Sequence, residues 1–161
     1  FLGFSTCFRR EAGSYGKDVR GILRVHQFDK IEMVSFTFKE SSREEHRFIL
    51  AIEEYLLQKL GLPYRVVKVC SGDMAPPNAE QFDIETWIPS QQKYRETHST
   101  SNTTDFQVRR KNLKEYVHII NGTAFALGRI LIALIENNQT KEGYIKIPPV
   151  LTKYTGFKII K

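Results

Sequence analysis

The sequence predicts an α+β fold, a mostly antiparallel β-sheet flanked by helices. Three observations carry that expectation: strand-like runs joined by turn-forming residues, strict alternation over residues 82–88, and two segments whose apolar residues recur at helical spacing.

Phe4 to Arg9 and Ile22 to Phe38 read as two strands around a polar centre containing Gly13, Ser14, Gly16, Lys17, Asp18 and Gly21, hence a long hairpin. Ser42 and Glu45 have the spacing of a capping box. Phe48, Ile49, Ile52, Leu56 and Leu60 then form a helical stripe that ends at Gly61 and Pro63. The charged residues of this helix, Arg43, Glu44, Glu53 and Glu54, read as its solvated face. Tyr64 to Val69 has strand composition, and Gly72 to Asn78 reads as a loop. Phe82, Ile84, Thr86 and Ile88 alternate with Asp83, Glu85 and Trp87, as in a half-buried strand, and a further strand is expected over Lys93 to Ser99. Thr103 to Lys114 reads as loop and short helix, and Tyr116 to Ile120 as strand. Arg129 to Asn137 is apolar nearly all round, the pattern of a helix buried on a sheet. The tail from Lys146 reads as irregular.

A chain of 161 residues, 41% of them hydrophobic, fits one domain with a substantial core. Its 24 Lys and Arg against 18 Asp and Glu leave +6, compatible with ATP or RNA as partners and equally with ordinary solubility. Cys7 and Cys70 stand far apart without a Cys or His companion at metal-binding spacing, which disfavours a disulfide framework and a Cys/His metal centre. A reducing, cytoplasmic setting is expected. Ile130 to Ile135, the longest apolar stretch, is too short to cross a bilayer, and no membrane partner is expected. The start, Phe1-Leu2-Gly3-Phe4, lacks an initiator Met and a basic leader, so the chain reads as part of something longer.

Three constellations carry possible chemistry. In the first, Phe8-Arg9-Arg10-Glu11 places Arg9 and Glu11 on one face of a strand end. An arginine fork grips phosphate and a carboxylate accepts from an amine, although a solvated edge has the same composition. The continuation is Gly21-Ile22-Leu23-Arg24-Val25-His26-Gln27-Phe28-Asp29-Lys30-Ile31-Glu32. Together these segments resemble motif 2 of the class II aminoacyl-tRNA synthetases, in particular their seryl branch. The resemblance implies the class II catalytic fold, with Arg9 on the ATP α-phosphate, Glu11 on the adenine amino group and Phe28 stacked on adenine. It also implies Arg10 and Arg24 near the nucleotide and Glu32 on the serine ammonium. Ser14, Tyr15, Lys17, Asp18 and Arg20 would approach the tRNA acceptor end.

The second constellation is Tyr94-Arg95-Glu96-Thr97-His98-Ser99-Thr100-Ser101-Asn102, whose oxygen donors suit Mg²⁺ and which alone could be a polar loop. It resembles the seryl segment that meets nucleotide and metal. That implies ATP contacts across Glu96, Thr97, His98 and Ser99, with Glu96 and Ser99 toward Mg²⁺; Thr100 stands where many members have Cys. The third is Asn121-Gly122-Thr123-Ala124-Phe125-Ala126-Leu127-Gly128-Arg129, small residues leading into a helix that begins with a cation. It resembles class II motif 3, implying Arg129 on the γ-phosphate side of ATP and Asn121 and Thr123 at the serine pocket. Asp83, Glu85 and Trp87 have an adequate structural explanation in their alternation.

The resemblance therefore implies a serine-tRNA ligase acting on serine, ATP and tRNA(Ser), with Arg9 and Arg129 as catalytic cations and a homodimer for the full-length enzyme. Residues 1–161 would be the C-terminal portion of the catalytic domain, without the N-terminal tRNA-binding helical arm and motif 1, and poorly active alone. Two alternatives stay open: an amino acid:carrier-protein ligase, and a non-catalytic synthetase paralogue serving as an RNA-binding or interaction module.

Overall fold

The computed structural model describes residues 1–11, 21–110 and 117–161. The expected tRNA-facing residues Ser14, Tyr15, Lys17, Asp18 and Arg20, and the end of the 103–114 segment, lie outside them. The main sheet has the order β1-β2-β6-β5-β4-β3, every described neighbour antiparallel. Its strands are β1 (Leu2–Phe8), β2 (Gln27–Phe38), β3 (Tyr64–Lys68), β4 (Glu80–Ile88), β5 (Lys93–Asn102) and β6 (Val117–Ala126). The helices are α1 (Ser42–Leu60), α2 (Phe106–Arg110), α3 (Leu127–Asn138) and α4 (Pro149–Thr155).

One face of the sheet is covered by α1 and α3. Leu50, Leu57 and Leu60 of α1 meet Ile130 and Ala133 of α3 on Phe82, Ile84 and Ile88 of β4, and Ile49 of α1 packs with Met33, Ile120 and Ala124. Because side chains alternate along a strand, burying this set turns Phe28, Lys30, Glu32, Ser99, Asn121 and Thr123 toward the other face.

Two irregularities break the alternation. The β4–β5 register shifts between Ile84 and Glu85, so Glu85 pairs with Glu96 while Ile84 pairs with His98, leaving Thr97 as the extra residue. In β6, Glu32 pairs with Thr123 and Ile31 with Phe125, leaving Ala124 extra. Between these strands the ladder joins Thr100–Asn102 only to Ile120–Gly122. Beyond it a side chain takes over: His98 Nε2 donates to the Ala124 carbonyl at 3.0 Å, and its Nδ1 lies 2.9 Å from the Thr97 hydroxyl. The Thr97 and Thr86 hydroxyls are 2.7 Å apart. With Nε2–H committed to the carbonyl, Nδ1 is the acceptor, and the chain runs Thr86, Thr97, His98, Ala124.

Several expectations are corrected. β2 begins at Gln27, with Ile22 to His26 forming turns and bends before it. The capping box is not made: the cap of α1 is Ser41, with no side-chain cap bond, and Glu45 instead accepts from the Ser35 hydroxyl at 2.6 Å. Ser42 is buried and takes a bond from Asn102 at 3.2 Å. At the other end Gly61 is left-handed (φ 69°), and the Leu62 amide bonds the Leu57 carbonyl, which closes the helix as the glycine predicts. β6 continues six residues beyond the expected end at Ile120, to Ala126. The tail is ordered by α4 and a small pair of strands, β7 (Ile145–Lys146) and β8 (Ile159–Ile160). Glu53, expected on a solvated face, is fully buried.

Candidate active site

The uncovered face of the sheet holds a cleft of about 220 Å³ lined by strands β2, β5 and β6, the start of α3 and the segment after β1. Arg9, Glu11, Arg24, Phe28, Glu32, Glu96, Thr97, Ser99, Asn121, Thr123 and Arg129, all singled out by the sequence, line it. A second depression is larger, about 830 Å³, but it lies around Lys39, Lys68, Glu80 and His118 and contains none of the expected site residues.

At one end Arg9 stands over the Phe28 ring, its guanidinium carbon 5.3 Å from the ring centroid. The antiparallel pairing of Phe8 with Gln27, extended by the bond from the Arg9 amide to the His26 carbonyl, brings these residues together. Glu11 adopts a left-handed backbone (φ 53°), a conformation that side-chain-bearing residues hold only where surroundings impose it. Its carboxylate meets Arg24 Nη1 at 2.5 Å. That bond, aided by the charges of Arg24, Arg9 and Arg129, keeps the Glu11 carboxyl below its ordinary range against some opposing desolvation.

At the other end Arg129, in the first turn of α3, donates to the Glu96 carbonyl at 2.8 Å and to the Leu23 carbonyl at 3.3 Å, and lies 3.3 Å from the Glu96 carboxylate. Between them Glu32 pairs with Lys30 at 2.8 Å, opposite buried Thr123. Ser99 accepts from Gln81 at 3.2 Å, and Gln81 also donates to Asp83 at 2.9 Å. The cleft is thus polar and internally cross-paired, cation against carboxylate along its length.

Two expected residues are not brought to it. Arg10 is exposed and does not line the cleft. His98 is 1% exposed on the helix-covered face, and burial lowers its pKa to about 4, so it is a neutral structural link between the two irregular strands. Thr97 lines the cleft, yet its hydroxyl is spent on Thr86 and His98. Thr100 is buried as well and donates to the Asn121 carbonyl at 2.8 Å, supporting the strand beneath the pocket. Lys30, Leu23, Val25 and Ala126 were missed. Lys30 was legible, since it sits midway between Phe28 and Glu32 on an alternating strand.

Glu96 and Ser99 offer hard oxygen donors on the cleft wall, and the described residues contain no cluster of three or more His, Cys, Asp or Glu able to hold a metal alone. That donor set fits Mg²⁺, which takes few protein ligands and fills its remaining positions with phosphate oxygens and water.

The sheet thus carries helices on one face and, on the other, a cleft of paired arginines, an aromatic ring and carboxylates. Residues 1–138 match the family described as the tRNA synthetase class II core domain (G, H, P, S and T), and the chain belongs to that family. Within it, the chain is similar to serine–tRNA ligases. It is 48% identical to that of Thermotoga petrophila and 50% identical to that of Dictyoglomus thermophilum, covering 99% and 100% of this chain and 40% of each relative. Two crystal structures superpose closely. Seryl-tRNA synthetase from Pyrococcus horikoshii complexed with ATP gives a TM-score of 0.94 at 47% identity, over 99% of this chain and 38% of that one. Cytoplasmic serine–tRNA ligase from Naegleria fowleri in complex with AMP gives 0.95 at 43%, over 100% and 36%. The chain thus spans about 40% of the length of the curated relatives it matches.

Proposed function

We propose that the chain supplies the catalytic part of a serine–tRNA ligase: activation of serine by ATP to seryl-adenylate, then transfer of the seryl group to the 3′ end of tRNA(Ser). The observation that carries it is one cleft with Arg9 and Phe28 at one end, Arg129 and Glu96 at the other, and Glu32 with Thr123 between. The serine–tRNA ligase relatives, and the solved neighbours bound to ATP and AMP, support the same reading.

Phe28 provides a stacking surface for adenine, with Glu11 accepting from its amino group. Arg9 contacts the α-phosphate and Arg129 the far end of the triphosphate, so the nucleotide is held between two fixed planar cations. Glu32 and Thr123 receive the serine ammonium and side chain, and Asn121 supports that pocket. The serine carboxylate oxygen attacks the α-phosphorus, the bond to the β-phosphate oxygen breaks, and pyrophosphate leaves with its electron pair. Positioning and stabilisation of developing phosphate charge suffice as catalytic means, so the two guanidiniums are the catalytic groups. Glu96 and Ser99 would hold Mg²⁺, which when bound draws charge from the phosphate oxygens.

The reading extends to a cytoplasmic homodimer. The edge strand β1 exposes Leu2, Phe4 and Phe8, apolar surface for a second copy to cover. The test is ATP–pyrophosphate exchange by the complete protein that carries this chain, across all amino acids. Exchange is expected with serine and at least a hundredfold less with alanine, whose missing hydroxyl leaves a polar pocket unpaired, about 3 kcal/mol in discrimination. Exchange with another amino acid alone would reject serine as substrate. Transfer to tRNA(Ser) rather than to a carrier protein then separates the ligase from its alternative.

A further inference from the structure

Glu53 is the one acidic residue of α1 that is fully buried among the described residues, and neither carboxyl oxygen closes a well-formed hydrogen bond. Its position is specific. A Cβ built on Gly122 would lie 2.8 Å from Glu53 Oε1 and 2.4 Å from Ile49 Cγ2, so α1 presses directly on the β6 backbone where the glycine leaves room. The next residue is Thr123, which pairs with Glu32, and both turn their side chains into the cleft on the opposite face. A carboxyl on one side of the sheet therefore backs the peptide that carries the proposed serine pocket on the other.

We propose that Glu53 is a positioning residue of the amino-acid subsite: a buried carboxyl wedged beneath the Gly122–Thr123 peptide that fixes where Thr123 and Glu32 meet the incoming ammonium. This rests on the serine-activation reading above. An uncharged acid is the form this place allows. Burial, with the charge of Glu32 adding to it, pushes the Glu53 pKa up to about 9, while the Thr123 amide and the charge of Lys30 pull the other way. The charged groups that act on it, through the sheet from the opposite face, are Glu32 and Lys30 of β2 and Asp83 of β4. The titratable side chain that β5 buries is His98, itself neutral, and the Lys153 of α4 is exposed. Lys30 favours the ionised form without outweighing burial.

A merely space-filling residue and a positioning carboxyl respond differently to substitution. Glu53→Gln keeps shape and a polar head beneath the Gly122–Thr123 peptide; Glu53→Leu keeps bulk and loses the polar head. In the complete protein carrying this chain, the Michaelis constants for serine and ATP are measured by pyrophosphate exchange at pH 7.5, with circular dichroism to confirm folding. Glu53→Gln is expected to stay within threefold of the parent for both substrates. Glu53→Leu is expected to raise the serine constant about tenfold and leave the ATP constant within twofold. Equal behaviour of Gln and Leu, or a parallel rise for serine and ATP, overturns the positioning role while leaving serine activation intact. If Leu fails to fold, Glu53→Met replaces it under the same criterion. Absence of exchange with serine in the parent overturns the activation reading and this role with it.

Discussion

Arg129 lies 3.3 Å from the Glu96 carboxylate, yet that carboxylate is half exposed, so a polyphosphate can take over the guanidinium without stranding a buried charge. The fork matters more than the charge: Arg129→Lys keeps the cation and loses the planar grip, and we expect kcat for pyrophosphate exchange to fall by about a hundredfold with folding unaffected. Phe28 is tested separately. Phe28→Ala removes a stacking face worth about 1–3 kcal/mol, and the ATP Michaelis constant should rise about tenfold or more while the serine constant stays put. If both constants move equally in either variant, the assigned role is wrong. At this scale the expected roles of Arg9, Phe28, Glu32 and Arg129 came from the motif resemblance rather than from residue type, and the structure brings all four to one cleft. His98 was grouped with the nucleotide contacts only because the resemblance covers its whole segment. Only the tertiary pairing, with both ring nitrogens committed, shows a core hydrogen-bond link.

Elements were legible where their periodicity is long and unmixed. The stripe of α1 and the alternation of β4 match the observed Ser42–Leu60 and Glu80–Ile88 closely. The burial of Glu53 was hidden because a glutamate breaks an apolar stripe, and nothing local announces that β6 contributes a glycine opposite it. Gly122 is the element-scale test. Gly122→Ala drives a methyl into the Ile49 side chain and against Glu53, so these side chains or α1 itself must shift, and we expect a loss of about 1–3 kcal/mol by chemical denaturation. Leu57, fully buried between α1, α3 and β4, offers the opposite perturbation: Leu57→Ala should cost about 3 kcal/mol through the cavity it leaves. A Gly122→Ala protein as stable as the parent would mean that α1 and β6 are not in the tight contact described.

For the whole molecule, two buried groups oppose each other in their response to pH. His98 has its pKa lowered from 6.5 to about 4, so its contribution is fully present above 6.5 and is lost as pH falls toward 4, about 3 kcal/mol in all. Glu53 has its pKa raised from 4.5 to about 9, so its contribution is fully present below 4.5 and is lost as pH rises toward 9, by about 1.4 kcal/mol per pH unit. Between 4.5 and 6.5 the two slopes oppose each other, buried His46, whose pKa desolvation also lowers, adds to the His98 side, and above 6.5 the Glu53 loss stands alone. Thermal unfolding should therefore show the folded state most stable near pH 6.5 and a steady decline toward pH 9 that Glu53→Gln flattens. A parent protein equally stable at pH 6 and pH 9 would contradict the buried state of Glu53.

The extra residues Thr97 and Ala124 make β5 and β6 one residue longer than their faces require. Glu96 and Ser99 share the cleft face although three positions apart, because the surplus residue is absorbed between them. Chain length is consequently buffered at two points. Losing one residue between Glu96 and Ser99, or between Thr123 and Ala126, would leave those pairs still looking into the cleft, whereas a single-residue deletion in the regular part of β4 would turn its core-facing set outward.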